Sequence, residues 1–210
     1  MQLQVGTRVV DKSYIYPVQP TYIAPDSELF ASLDNDSRYV AELKKNGWRC
    51  MVRVGEDKKI ALWTRRGTII GDPLPNLRKA LESLKLPPDT ILDGELLEHR
   101  SVVKEQVVLW GAIRMGGKWL SAMPYKEVLD VMKKIVKESD YIKRTRQVVA
   151  DKKKFYASAI GGEQGTDNEG LVVKHLDSPV PFGWRNCPTH PLWFKVKPNV
   201  LCDGYFAKWR

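Results

Sequence analysis

The chain is poor in the residues that build disulfide scaffolds and histidine metal centres. Its three cysteines, Cys50, Cys187 and Cys202, are odd in number and nowhere form a CxxC pair. Neither a disulfide framework nor a zinc knuckle is indicated, and buried free thiols are expected. His99, His175 and His190 show no HxH or HExxH spacing, which leaves oxygen ligands for any bound metal. No apolar run approaches the roughly 18 residues that a membrane span requires. The opening MQLQVGTRVVDK lacks the charged-then-apolar order of a secretion signal. No membrane partner is expected, and the expected location is the cytoplasm, that of a host cell if the protein is viral. Also missing are GxGxxG, a phosphate loop ending in GK[ST], and GxSxG, so dinucleotide, P-loop and serine-hydrolase signatures are absent. The glycines of Gly161-Gly162-Glu163-Gln164-Gly165 read as a mobile turn.

What is present describes a folded chain. With 210 residues, 43% of them hydrophobic, 28% charged and 10% aromatic, and with seven tryptophans, one domain over residues 1–210 is expected. Lys and Arg number 34 against 25 Asp and Glu, a formal charge of +9, which makes a polyanionic partner plausible. Nine of those cations fall between Lys133 and Lys154, against Glu138, Asp140 and Asp151. A solvated helix face and a phosphate footprint both fit that segment.

Hydrophobic periodicity gives the coarse elements. Prolines 17, 20 and 25 mark extended chain and turns. Asp26 is expected to cap a short helix ending at Leu33. Strands are expected at 39–43, 48–54 and 60–64, joined by a tight Lys45-Asn46-Gly47 turn and a charged Gly55-Glu56-Asp57 turn into an antiparallel meander. Helices are expected over 73–86, 124–138 and 151–160, and further strands over 90–97, 106–113, 142–150, 170–175 and 192–196, followed by a Tyr205-Phe206 tail. Helices fall between groups of strands without regular alternation, so an α+β fold on mostly antiparallel sheets is predicted.

Lysines and acids lie beside several of these strand ends. Lys44-Lys45-Asn46-Gly47-Trp48-Arg49 sets a lysine before a turn and an arginine after it. Asp93-Gly94-Glu95-Leu96 places two carboxylates in an apolar strand, and Glu169-Gly170-Leu171-Val172-Val173-Lys174 puts an acid and a lysine at opposite ends of one. Glu169 and Lys174 are five apart, so a regular strand points them to opposite faces and only a bend or bulge unites them. In Trp193-Phe194-Lys195-Val196-Lys197 the two lysines share a face while Phe194 and Val196 take the other.

Taken in order, these pieces resemble the covalent nucleotidyltransferase superfamily of ATP-dependent DNA ligases, RNA ligases and mRNA capping enzymes. Residues 44–49 are similar to its KxDGxR motif with Asn46 in place of aspartate, Thr64-Arg65-Arg66-Gly67 to SRxG, and residues 93–96 to DGEL. Residues 169–174 are similar to EGxVxK, and 193–197 to WxKxK. The resemblance spans residues 42 to 197 and is nearest to the adenylyltransferase domain of ATP-dependent DNA ligases. It implies an ATP-grasp-like nucleotidyltransferase fold of mostly antiparallel sheets flanked by helices. It also implies a catalytic Lys44 that attacks the α-phosphate of ATP and carries AMP, with Lys195 and Lys197 offsetting phosphate charge. Glu42, Arg49, Glu95, Trp110, Lys174, Lys195 and Lys197 are the implied ATP contacts, with Arg49 and Glu95 at the ribose, Trp110 stacked on the base and Lys174 at the α-phosphate. Arg65 would grip the 5′-phosphate of a nick. Glu169 and Glu95 are the implied holders of Mg²⁺ or Mn²⁺. Asn46 removes the charge of the motif aspartate yet suits a turn before glycine, so reduced but real adenylylation is expected. The implied substrate is nicked duplex DNA, handled by a monomer. An RNA ligase, a GTP-using capping enzyme and a nucleic-acid-binding module without catalysis are the alternatives. Thirteen residues follow Lys197, too few for the OB-fold domain that usually follows in DNA ligases. The expectation is either a truncated piece or a minimal ligase whose 133–154 segment contacts DNA.

Overall fold

A computed structural model describes residues 14–198, apart from 72–73, 99–100 and 163–166. The expectations for the first 13 residues, the glycine turn from 163 onward, the helix start at Pro73, His99, Cys202 and the Tyr205-Phe206 tail lie outside the described residues. The elements in chain order are β1 (Tyr16–Pro17), β2 (Gln19–Ile23), α1 (Glu28–Leu33), β3 (Tyr39–Lys45), β4 (Trp48–Val54), β5 (Ile60–Thr64), α2 (Pro75–Ser83), β6 (Thr90–Leu97) and β7 (Gln106–Met115). They continue with β8 (Lys118–Trp119), α3 (Tyr125–Ile135), β9 (Ile142–Arg144), β10 (Gln147–Val148), α4 (Lys152–Ile160), β11 (Asn168–His175), β12 (Phe182–Gly183) and β13 (Thr189–Val196). No helix among the described residues is long and apolar enough to cross a membrane.

Two sheets carry the molecule. One has the order β10-β3-β11-β13-β2, the other runs β5-β4-β6-β7-β8 with β9 beside β7, and β1 with β12 forms a small ribbon. Among the described residues only β2–β13 and β7–β9 pair in parallel, so the sheets are mostly antiparallel and the class is α+β.

Side-chain alternation explains the layers. In the first sheet Ala41, Leu43, Leu171, Val173, Phe194 and Val196 pack with Phe30 and Leu33 of α1 and Phe155, Tyr156 and Ala159 of α4. In the second, Cys50, Val52, Leu92, Leu96 and Leu109 pack against Leu77 and Leu81 of α2 and Val128, Leu129 and Met132 of α3. A small third cluster joins Met51, Trp63, Ile91 and Ile113 on the opposite face to Tyr14 and Ile15. Each Val, Leu, Ile, Phe or Met among these contributes about 1.5–3 kcal/mol when fully buried. The sheet faces left without a helix look toward each other.

Four expectations are corrected. The meander over 39–64 holds only for β4 and β5, with Met51 opposite Trp63. β3 instead pairs with β11 and β10 in the other sheet. The reason lies in the turn, where Asn46 N–H donates to the Asp167 carbonyl at 2.8 Å and Gly47 N–H to Glu95 Oε1 at 3.1 Å. Its hydrogen bonds leave the would-be hairpin. Likewise the strand expected over 142–150 is two pieces, β9 on β7 and β10 on β3. Between them Thr145 N–H bonds Leu109 O at 3.0 Å and Arg146 O accepts from Leu43 N–H at 3.2 Å. The cap of α1 is Ser27, whose Oγ accepts from Phe30 N–H, and not Asp26. Of the thiols, Cys50 is buried but Cys187 is only half-buried.

Candidate active site

A cleft of about 760 Å³ opens between the two unhelixed faces. The first sheet lines it with Glu42, Lys44, Val172, Lys174, Trp193, Lys195 and Lys197. The second contributes Arg49, Arg65, Glu95 and Trp110, and Lys45-Asn46-Gly47 crosses between them. Every residue that sequence reasoning assigned to nucleotide, metal or nick phosphate, including Glu169, therefore lines one cavity. Alternation explains Lys195 and Lys197, since Phe194 and Val196 take the core side.

A bulge explains Glu169 and Lys174. Asn168 lies opposite Lys45 and Gly170 opposite Lys44, so Glu169 is the extra residue and turns into the cleft. Gly170 has φ of 138°, and a Cβ there would lie 2.0 Å from Val196 O. Only glycine fits this close approach.

The charges form three linked groups. Lys44 Nζ is ion-paired with Glu169 Oε1. Arg49 holds Asp93 with two bonds, Nε to Oδ1 at 2.8 Å and NH2 to Oδ2, and Trp110 Nε1 donates to the same carboxylate at 3.0 Å. Lys174 Nζ meets Glu42 Oε2 at 2.6 Å, with the Tyr125 hydroxyl donating to Glu42 Oε1 and accepting from Lys174 at 2.9 Å. The Lys174 ammonium also lies 4.5 Å from the Tyr125 ring centre and 4.7 Å from that of Trp193. Glu42 and Lys174 are both buried. Burial pulls Lys174 below the usual lysine range, against the opposing charge of Glu42. Burial also pushes Glu95 up to about 7, although Lys44, Arg49 and the Gly47 N–H favour its charged form. Lys195 is lowered by burial and then by the cations Lys197, Lys44 and Arg65.

Such a cleft suits a polyanion. Eight Lys and Arg side chains line it against three carboxylates, and partial exclusion of water strengthens each interaction. Among the described residues no group of three or more His, Cys, Asp or Glu is placed to hold a metal. Glu95 and Glu169 do lie close enough for the charge of one to act on the other. Two carboxylates are oxygen donors of the kind that would suit Mg²⁺.

No protein-family profile matches the chain. Its sequence is similar to the DNA ligase of Thermococcus fumicolans, 26% identical over 199 residues that make up 81% of this chain and 34% of the relative. Its structure is similar to mycobacterial DNA ligase D complexed with ATP and MES, with a TM-score of 0.64 and 18% identity over 87% of this chain and 60% of that one. This is the nucleotidyltransferase fold of the ATP-dependent ligases. An archaeal ATP-dependent RNA ligase shares the ligase fold at a TM-score of 0.54 and 17% identity, over 87% of this chain and 48% of that one. The chain spans about a third of the length of the curated DNA ligases it matches.

Sequence reasoning missed two residues of this cleft. Asp93 stood in the DGEL-like motif without a role, yet it anchors both Arg49 and Trp110. Its pairing with Arg49 could have been read from alternation, since both residues leave the same sheet face. Tyr125 read only as the start of a helix, and it is fully buried between Glu42, Lys174 and the Trp110 carbonyl. Nothing local in the sequence marks it. The basic segment is divided by the ligase fold, and Lys152 is a correction. Its ammonium is buried and donates to Asp34 O and Asp36 O at 3.1 Å each, closing the end of α1.

Proposed function

We propose that this chain is the nucleotide-transferring domain of an ATP-dependent DNA ligase. The observation that carries the reading is Lys44, a lysine set at the junction of two sheets with Glu169 on its amine and Lys195 near enough to feel its charge. Lys44 Nζ attacks the α-phosphorus of ATP, the bond from that phosphorus to the bridging oxygen breaks, and pyrophosphate leaves with AMP held by a phosphoramidate bond. The attacking amine must lose a proton before it can act as the nucleophile. Lys195 and Lys197 stabilise charge on the α-phosphate. Trp110 stacks on the base, Lys174, paired with Glu42, contacts the α-phosphate, and Arg49 is held by Asp93. Glu169 and Glu95 would hold Mg²⁺, which when bound offsets triphosphate charge. Arg65, at the cleft mouth, receives the 5′-phosphate to which AMP passes before a 3′-hydroxyl displaces it.

The DNA reading rests on the curated DNA ligases that resemble the sequence, since the fold is shared with RNA ligases. The test is incubation with Mg²⁺ and α-labelled ATP. Covalent label is expected on the wild type and none on Lys44→Ala. Label that survives the substitution would sink the nucleophile assignment. Nicked duplexes with DNA or RNA strands then separate the two ligase types.

A further inference from the structure

Outside the cleft the surface carries a cluster of aromatic rings that the proposed chemistry does not use. Trp119 of β8 stacks on Phe182 of β12 with centroids 4.7 Å apart and planes at 21°. Trp184 stands nearly perpendicular to both, 5.9 Å from Trp119 and 5.2 Å from Phe182. Trp184 is 58% exposed and Trp119 36%. Keeping this apolar area in water is unfavourable and marks a contact surface.

The backbone presents it deliberately. Gly183 closes the turn so tightly that a Cβ there would lie 2.0 Å from Asn186 O, and the turn carries Trp184 and Arg185 outward, both exposed. The neighbouring charges are mostly cationic. Arg114 lies 4.6 Å from the Trp119 ring centre and is held there by Asp89 at 2.5 Å. Lys118 and Arg185 are exposed beside it. The ribbon that carries it also adjoins the cleft. Phe182 pairs with Pro17, the next residue Val18 lines the cleft and accepts from Arg49 at 2.7 Å, and Gln19 N–H bonds Pro188 O at 2.8 Å.

We propose that Trp184, backed by Trp119 and Phe182, is a stacking platform for an unpaired base of the nucleic acid held in the cleft, with Lys118 and Arg185 meeting its phosphates. Every base offers a π-face, so the platform reads no sequence and adds affinity for strands with unpaired bases near the reacting end. The inference rests on the nucleic-acid reading above, and its test does not depend on catalysis.

The experiment measures binding of a fluorescein-labelled single-stranded DNA 12-mer by anisotropy, alongside a 12-mer of the same charge with abasic positions. Trp184→Ala is expected to weaken binding of the normal strand about tenfold, Trp184→Phe to restore most of it, and the wild type to bind the abasic strand as weakly as the alanine variant binds the normal one. Labelling of Lys44 by ATP is expected to be unchanged in both variants. Equal affinity of wild type and Trp184→Ala, or equal affinity of the wild type for normal and abasic strands, overturns the proposal. A wild type that takes no label from ATP overturns the ligase reading instead, while the anisotropy result still decides the platform.

Discussion

Glu95 combines a buried site with the metal-holding role proposed for it. It accepts the Gly47 N–H at 3.1 Å and sits beside Lys44, Arg49 and Glu169, with burial the largest influence on its ionisation. Unfolded, the carboxyl titrates near its ordinary 4.5, and folded at about 7. Because the folded value is the higher one, the stability it lends is intact below the unfolded value and is lost as pH rises through the folded one. Denaturant unfolding of the nucleotide-free protein at several pH values should therefore show wild type losing up to about 3 kcal/mol relative to Glu95→Gln between roughly pH 4.5 and 7.5. A constant difference across that window would mean that Glu95 is ionised without cost. Asn46 gives the contrasting case. Its N–H and C=O are taken by Asp167 O and by Ser101 Oγ at 3.0 Å, so the turn depends on backbone and survives the loss of the motif aspartate.

Among elements, β11 owes its place in the site to one bulge, which turns Glu169 to Lys44 while leaving Lys174 on the same cleft. Gly170→Ala would place a methyl against Val196 O at a positive φ, and either β11 separates from β13 or the bulge moves. A loss of about 3 kcal/mol in stability is expected, with lysine labelling by ATP falling even where the protein stays folded at low temperature. Wild-type thermal stability in Gly170→Ala would show that the bulge is not fixed by this contact. The same strand shows what the sequence makes legible. Alternation within 193–197 foretold which lysines face the cleft, and the five-residue interval from Glu169 to Lys174 demanded an irregularity that the structure contains. Partner choice was not legible. Lys45-Asn46-Gly47 has the local chemistry of a hairpin turn, but β3 is drawn to β11 by long-range burial of Ala41 and Leu43 beneath α4. Two-residue strands such as β8 and β12 have no period to detect, and they carry Trp119 and Phe182.

At the scale of the molecule, the chain crosses between sheets at residues 45–47 and again near Thr145, and these crossings hold the two cleft walls together. The net charge of +9 is then distributed by the layers. α4 covers the face of the first sheet opposite the cleft, since its Phe155 and Tyr156 pack on Leu171 and Val173, and this puts Lys153 and Lys154 behind the site. α3 packs behind the second sheet through Val128, Leu129 and Met132, and its Lys133 is paired with Asp130 at 3.0 Å. Arg65 and Arg66 instead line the cleft mouth with Lys195 and Lys197. Neutralising a phosphate releases counterions, with a slope of about 0.9 in log affinity against log salt per contact. Reversing Arg65 and Arg66 to glutamate should therefore flatten the salt dependence of nicked-duplex binding by about 2, while reversing Lys153 and Lys154 leaves the slope unchanged. Anisotropy titrations over roughly 50 to 200 mM salt measure both. An equal flattening by the Lys153/Lys154 pair would mean that the nucleic acid wraps behind the first sheet and that the cleft mouth is not its main contact.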